Sequence, residues 1–243
     1  MLYGYLVESY SYLVLCNCIC PYETMDSRHV PLDDFLSSLG SLAVYDGFGV
    51  LFSGCHALFE LIPRISRFAA ARLDEETVSQ DSFAFYEVTH AAIDAWHHPP
   101  GTDAQTAAPR AALGRVYKHA VVIFLELAHA GRALPPSDDL LATLSYHVGG
   151  LAKAVFSHGL LNSPFSSILL WPMIMAGSVI ADPDRMEVMS WRLRSGIAST
   201  STSVHVAEVL EALWLDRETD PRCWGPYGLY LTLQRHGVNL SLA

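Results

Sequence analysis

The sequence predicts an all-α fold, an irregular multi-helix bundle of about nine helices. Apolar residues recur at intervals of three and four over most of the chain, start and stop signals bracket these runs, and no stretch alternates convincingly enough to be a strand. Composition agrees, since 51% hydrophobic and 16% charged residues in a 243-residue chain describe a well-filled core rather than a disordered tail.

Aromatic and aliphatic residues from Leu2 to Ile19 predict a first helix, buried on most sides and closed by Pro21. Pro31 to Gly49 mixes Pro, Gly, Ser and Asp with short apolar pieces and reads as a long connection with one short helix. From His56 the period is helical: Leu58, Leu61, Ile62, Ile65, Phe68 and Ala69 form an apolar face, and Glu60, Arg64, Arg67 and Arg72 the opposite one. Pro63 is expected to kink this helix or to lie near its first turn.

Ser79 to Trp96 predicts the next helix, ended by His97, His98, Pro99, Pro100 and Gly101, and Thr102 to Pro109 reads as a polar and alanine linker. Arg110 to Ala130 then carries an apolar face of Leu113, Val116, Tyr117, Ala120, Val121, Phe124 and Leu127, with Gly131 as its stop. Ser137, Asp138 and Asp139 open a helix that continues to about His158, because acids in a first turn complement the helix dipole.

Gly159 to Ala181 holds no charged residue, and about 20 apolar residues suffice to cross a bilayer. Asn162, Ser163, Pro164, Ser166, Ser167 and Pro172 interrupt it, so a buried core helix ending near Ala181 is expected instead of a membrane span. Asp182, Pro183 and Asp184 then supply a cap, a proline at the first helical position and a first-turn acid for a helix to about Ser195, with Met186, Met189 and Leu193 on one side. Ser199 to Ser203 reads as loop and cap. Val206, Val209, Leu210, Leu213 and Trp214 follow as one apolar face, with Glu208 and Glu211 outward, until Asp216 to Pro221 breaks it.

Charge and cysteine usage narrow the function classes. With a formal net charge of −10, only Lys118 and Lys153 as lysines and its arginines scattered, the chain has no basic stripe to neutralise a phosphate backbone, and direct nucleic-acid binding by it is not expected. The start lacks a positively charged leader and carries Glu8 in the would-be apolar region, which argues against a secretory signal. Five cysteines, an odd number, are expected to be reduced thiols of a cytosolic or nuclear protein. Cys16, Cys18 and Cys20 would turn by about 200° from one to the next on a helix, which is not a zinc knuckle.

Chemistry has little foothold. HExxH, GxSxG, GxGxxG and Walker loops are absent, and the adjacency of Cys55 and His56 does not make a nucleophile and base pair. One constellation stands out: Glu87 with His90 in YEVTH and Glu126 with His129 in LELAH, the helical spacing of di-metal carboxylate bundles. Eleven glutamates and eleven histidines yield about 0.5 such pairs by chance, so these four are weak metal candidates. No cofactor, no metal and no catalytic residue are expected.

Three blocks carry a resemblance: GCHALFELIPRISRFAA (Gly54 to Ala70), RVYKHAVVIFLELA (Arg115 to Ala128), and WPMIMAGSVIADPDRMEVMSWRL followed by VAEVLEALWLDRE. Together with VESYSYLVLCNCIC near the start, they resemble the fungal-specific transcription factor domain, the regulatory domain C-terminal to binuclear zinc cluster DNA-binding regions. Trp171, Pro172, Ala176, Gly177, Asp182, Arg185, Leu210 and Trp214 fall where that pattern expects them, as structural residues of a buried helix and the turn after it. Arg185 is expected to pair with Glu187 or a backbone carbonyl.

The resemblance implies one regulatory-type domain over residues 1–243, N-terminally incomplete and without the six-cysteine basic cluster that holds two zinc ions and reads DNA. It further implies a nuclear transcriptional regulator acting on genes of metabolism, with a protein partner that is either an intact zinc cluster regulator or a second copy of this chain. The alternatives are a sensor of a hydrophobic, sterol-like ligand, with Met173, Met175, Met186 and Met189 lining an adaptable pocket, and the di-metal enzyme.

Overall fold

The computed structural model describes residues 2–16, 39–45, 48–99, 104–163, 165–195 and 201–238. Ten α-helical segments follow one another: α1 (Leu2–Cys16), α2 (His56–Phe59), α3 (Leu61–Asp74), α4 (Gln80–Ala95), α5 (Ala104–Ala130), α6 (Asp138–Ser157), α7 (Leu170–Gly177), α8 (Pro183–Ser195), α9 (Ser201–Thr219) and α10 (Gly225–His236). Glu60, between α2 and α3, keeps right-handed helical angles, so these two form one interrupted helix and the described residues nine in all. Three 3-10 turns, at Leu39–Val44, Leu160–Asn162 and Ser166–Leu169, complete them, and among the described residues there is no strand. The all-α expectation holds.

The longest helix is the axis of the bundle. At 27 residues α5 is about 40 Å long, and α3, α4, α6, α7 and α10 all pack on it. From Ala120 to Leu125 every residue is buried, since neighbours cover the helix on all sides and any exposed face has gone. Its start corrects the linker expected from Thr102 to Pro109. The helix already runs from Ala104, and Pro109 lies inside it. A proline deletes one N–H bond, which the strong helix propensity of the flanking alanines offsets near a helix start. Thr102 itself lies outside the described residues.

Arg72 is the second correction. Expected on the outer face of its helix, it is 5% exposed, because the outer edge of α3 runs over the C-terminus of α5. Its Nε and Nη2 donate to the carbonyl of His129 at 3.2 and 3.1 Å, and its Nη1 to Glu75 at 2.7 Å. A cation at this position satisfies an orphan carbonyl and complements the negative end of the helix dipole. Gly131, at φ +57°, then ends α5 in the left-handed conformation that glycine adopts without strain.

Three boundaries and one face also move. Gly159 to Ala181 contains two 3-10 turns before the short α7, which ends at Gly177 rather than near Ala181. No described helix is long and apolar enough to cross a membrane. Ser201 to Ser203, expected as loop and cap, already belong to α9, and α9 continues through Asp216 to Thr219 instead of breaking. Asp216 is tolerated there because Arg235 of α10 pairs with it at 3.0 Å. Helix α1 is buried on one face only: Tyr12, Val14 and Leu15 face the core, whereas Tyr3, Tyr5, Leu6, Tyr10 and Leu13 are exposed. Residues 17–20, with Cys18 and Cys20 and the expected stop before Pro21, lie outside the described residues.

Candidate functional site

The motif residues of the third block gather at one junction, where α7 meets α9. Trp171 is fully buried against α5, its ring parallel to that of Tyr117 at 6.0 Å and edge-on to Phe124 at 6.1 Å. Pro172 is the third residue of α7, in the turn whose N–H groups have no intrahelical acceptor, so its missing donor costs nothing. A Cβ on Gly177 would lie 2.5 Å from Leu210 Cδ1, so glycine is what lets the two helices approach. Trp214 seals this contact by donating its Nε1–H to the Gly177 carbonyl at 2.9 Å. Asp182 caps α8 through Oδ1, which accepts from the Asp184 amide at 3.0 Å.

Arg185 corrects an expectation. Its Nε lies 3.6 Å from Asp182 Oδ2, not against Glu187 or a carbonyl, because the two side chains sit one turn apart on the same helix face. Both are about half exposed, and an ion pair of this kind contributes little.

The residue that holds the junction is one that sequence reasoning missed. Arg217 donates from Nη1 to the Ile180 carbonyl at 2.6 Å, from Nη2 to the Ser178 carbonyl at 2.8 Å, and from Nε to the Cys223 carbonyl at 2.9 Å. Its guanidinium lies 3.7 Å from the centre of the Trp224 ring. Burial lowers its pKa to about 10, still far above neutrality, so the group remains a cation. One planar fork thus ties the turn after α7 to the turn before α10, a task the point charge of lysine does not perform. The only sequence signal was an arginine amid a presumed break.

A second cluster of polar groups lies where α4 packs on α5. Glu126 accepts from the Tyr86 hydroxyl at 2.8 Å and has His90 Nε2 at 3.8 Å, and the His129 ring stacks on Tyr86 at 4.2 Å. Of the four weak metal candidates the fold thus brings together His90, Glu126 and His129, while Glu87 is exposed. Among the described residues no three His, Cys, Asp or Glu side chains converge in a way that could hold a metal ion. The Cys55 thiol is fully buried and its pKa is pushed up to about 12, so it is no nucleophile at neutral pH.

About two turns earlier on α5, His119 approaches His147 of α6, their Nδ1 atoms 3.0 Å apart. Burial, then the neighbouring His119 and His90, hold the His147 pKa down at about 4, and burial lowers that of His119 as well. Because the folded value lies below the ordinary one near 6.5, the stability this pair contributes is present above pH 6.5 and lost as pH falls toward 4. The thermal midpoint is therefore expected to drop over that window, and His147→Asn to flatten the drop. An unchanged slope in the variant contradicts this assignment.

Comparison with known families is decisive. The family model described as the fungal specific transcription factor domain matches residues 14–243. The chain belongs to this family. No curated protein and no solved structure matches it significantly. Membership in the fungal-specific transcription factor domain family supports a transcription-regulatory role, and domains of this family are generally non-enzymatic. The α7–α9 junction, built from Trp171, Gly177, Leu210 and Trp214, is therefore a packing element of a regulatory domain. Of the four methionines, Met173 and Met175 are buried in α7, and Met186 and Met189 pack against the core from α8.

Proposed function

We propose that residues 1–243 are one regulatory-type domain of a zinc-cluster-type fungal transcription factor, acting in the nucleus by association with another protein and controlling genes of metabolism. The observation that carries this reading is the family match over residues 14–243. Two further features support association as the means. The formal net charge of −10 disfavours direct contact with a phosphate backbone. Large apolar side chains also stand exposed on α1, where a protein surface can cover them.

A reporter assay tests the reading. Tethered upstream of a reporter through an unrelated DNA-binding domain, the chain is expected to change expression, and deletion of its gene to change transcripts of metabolic genes. A silent reporter together with an unchanged transcriptome overturns it.

A further inference from the structure

Helix α1 carries an unusual outer face. Its exposed side chains Tyr3, Leu6, Tyr10 and Leu13 stand 61, 54, 48 and 41% exposed and follow one another at intervals of three, four and three residues. At about 100° per residue they form one stripe, roughly opposite Glu8. Glu8 is the only charged residue of α1, and it is fully buried, accepting from the backbone amides of Leu51 and Phe52. The outer face is thus an uncharged apolar seam about 15 Å long on a chain of formal net charge −10.

The seam is symmetric about position 8. A second copy laid antiparallel on a twofold axis at that point sets Leu6 against Tyr10 of the other copy and Tyr3 against Leu13, each contact joining an aromatic ring to a leucine. Such a self-complementary patch is what an isologous dimer requires, and intervals of three and four residues suit helix pairing along a straight seam. The absence of exposed charge matters equally. Two chains of the same strong sign approach most easily where neither presents a charge.

The area is also sufficient. Tyr45 lies edge-on to Tyr3 at 4.9 Å and extends the patch. At roughly 200 Å² for a whole large side chain, the five leave roughly 500 Å² per copy to bury. Two copies reach about 1,000 Å², the area a specific interface has to clear.

We infer that the chain forms an antiparallel homodimer through α1, Leu6 of one copy packing on Tyr10 of the other. This rests on the association reading above and names its partner as a second copy of the chain.

Sedimentation equilibrium on the whole chain from about 1 to about 100 μM is expected to show a monomer passing to a dimer. Leu6→Lys and Tyr10→Glu, both at exposed positions, are each expected to weaken dimerisation at least about tenfold with unchanged helicity. Mixed in equal amounts they are expected to pair again, because the antiparallel register sets the new lysine against the new glutamate. The pair Tyr3→Lys with Leu13→Glu provides the same test should either first variant fail to fold. A wild type that stays monomeric throughout overturns the inference, and so does a mixture that associates no better than its components. A monomeric chain that still drives the reporter removes the dimer and leaves the regulatory reading standing, whereas a dimer silent in the reporter does the reverse.

Discussion

Replacing Arg217 with alanine is expected to destabilise the protein by about 3–5 kcal/mol, the cost of breaking a buried charged network. Three carbonyls, of Ser178, Ile180 and Cys223, lose their guanidinium donor at once, and among the described residues only Ser178 keeps another donor, the Gly225 amide at 3.1 Å. The ring of Trp224 also loses its cation. Arg217→Lys keeps the charge but not the planar fork, so it is expected to recover less than half of the loss. Chemical denaturation monitored by circular dichroism measures both, and an alanine variant within about 1 kcal/mol of wild type would show that the clamp is not needed. The lost stability should appear first in the turn from Ser178 to Asp182, as faster amide hydrogen exchange.

Trp171→Ala carries an effect of similar size, about 3–5 kcal/mol, by a different mechanism. The indole is fully buried between Tyr117 and Phe124, so truncation leaves a cavity that helices on several sides cannot close together. Trp171→Phe separates shape from polarity. The Trp171 Nε1–H is buried and has no partner among the described residues, and removing it relieves a desolvated donor while retaining a ring. Its expected cost is about 1 kcal/mol. Trp214→Phe instead breaks the bond to the Gly177 carbonyl, which keeps the longer bond from the Ile180 amide at 3.3 Å. Equal costs for the two phenylalanine variants would contradict the assignment of the hydrogen bond to Trp214 alone.

Much of the scaffold was legible because its signals are local. The start at Ser137, the Asp182 cap with Pro183 behind it, and the stop at Gly131 each act within a few residues. The apolar face from Leu58 to Ala69 is buried as expected. Even the uncharged run from Gly159 to Ala181 could be read as core, because its polar and proline residues forbid a continuous span.

What failed to appear in the sequence depends on partners far along the chain. Thr102 to Pro109 has the composition of a linker, yet packing of the later turns draws Ala104 onward into α5. Asp216 looks like a breaker until Arg235 stands opposite, and α10 itself, beginning Gly-Pro and unanticipated, is held by that pairing. Glu126 and His129 share a face through their spacing, but only the docking of α4 shows that Tyr86 takes the carboxylate.

By itself the sequence determined the helical class, most caps and core faces, and through its motif blocks the regulatory family, since periodicity, capping and motif order are properties of short stretches. The tertiary structure alone decided the inward turn of Arg72, the three-carbonyl clamp of Arg217, and which face of α1 remains uncovered. A long side chain at a helix surface reaches water or a carbonyl with equal ease, and only the arrangement of neighbouring helix ends determines which it meets.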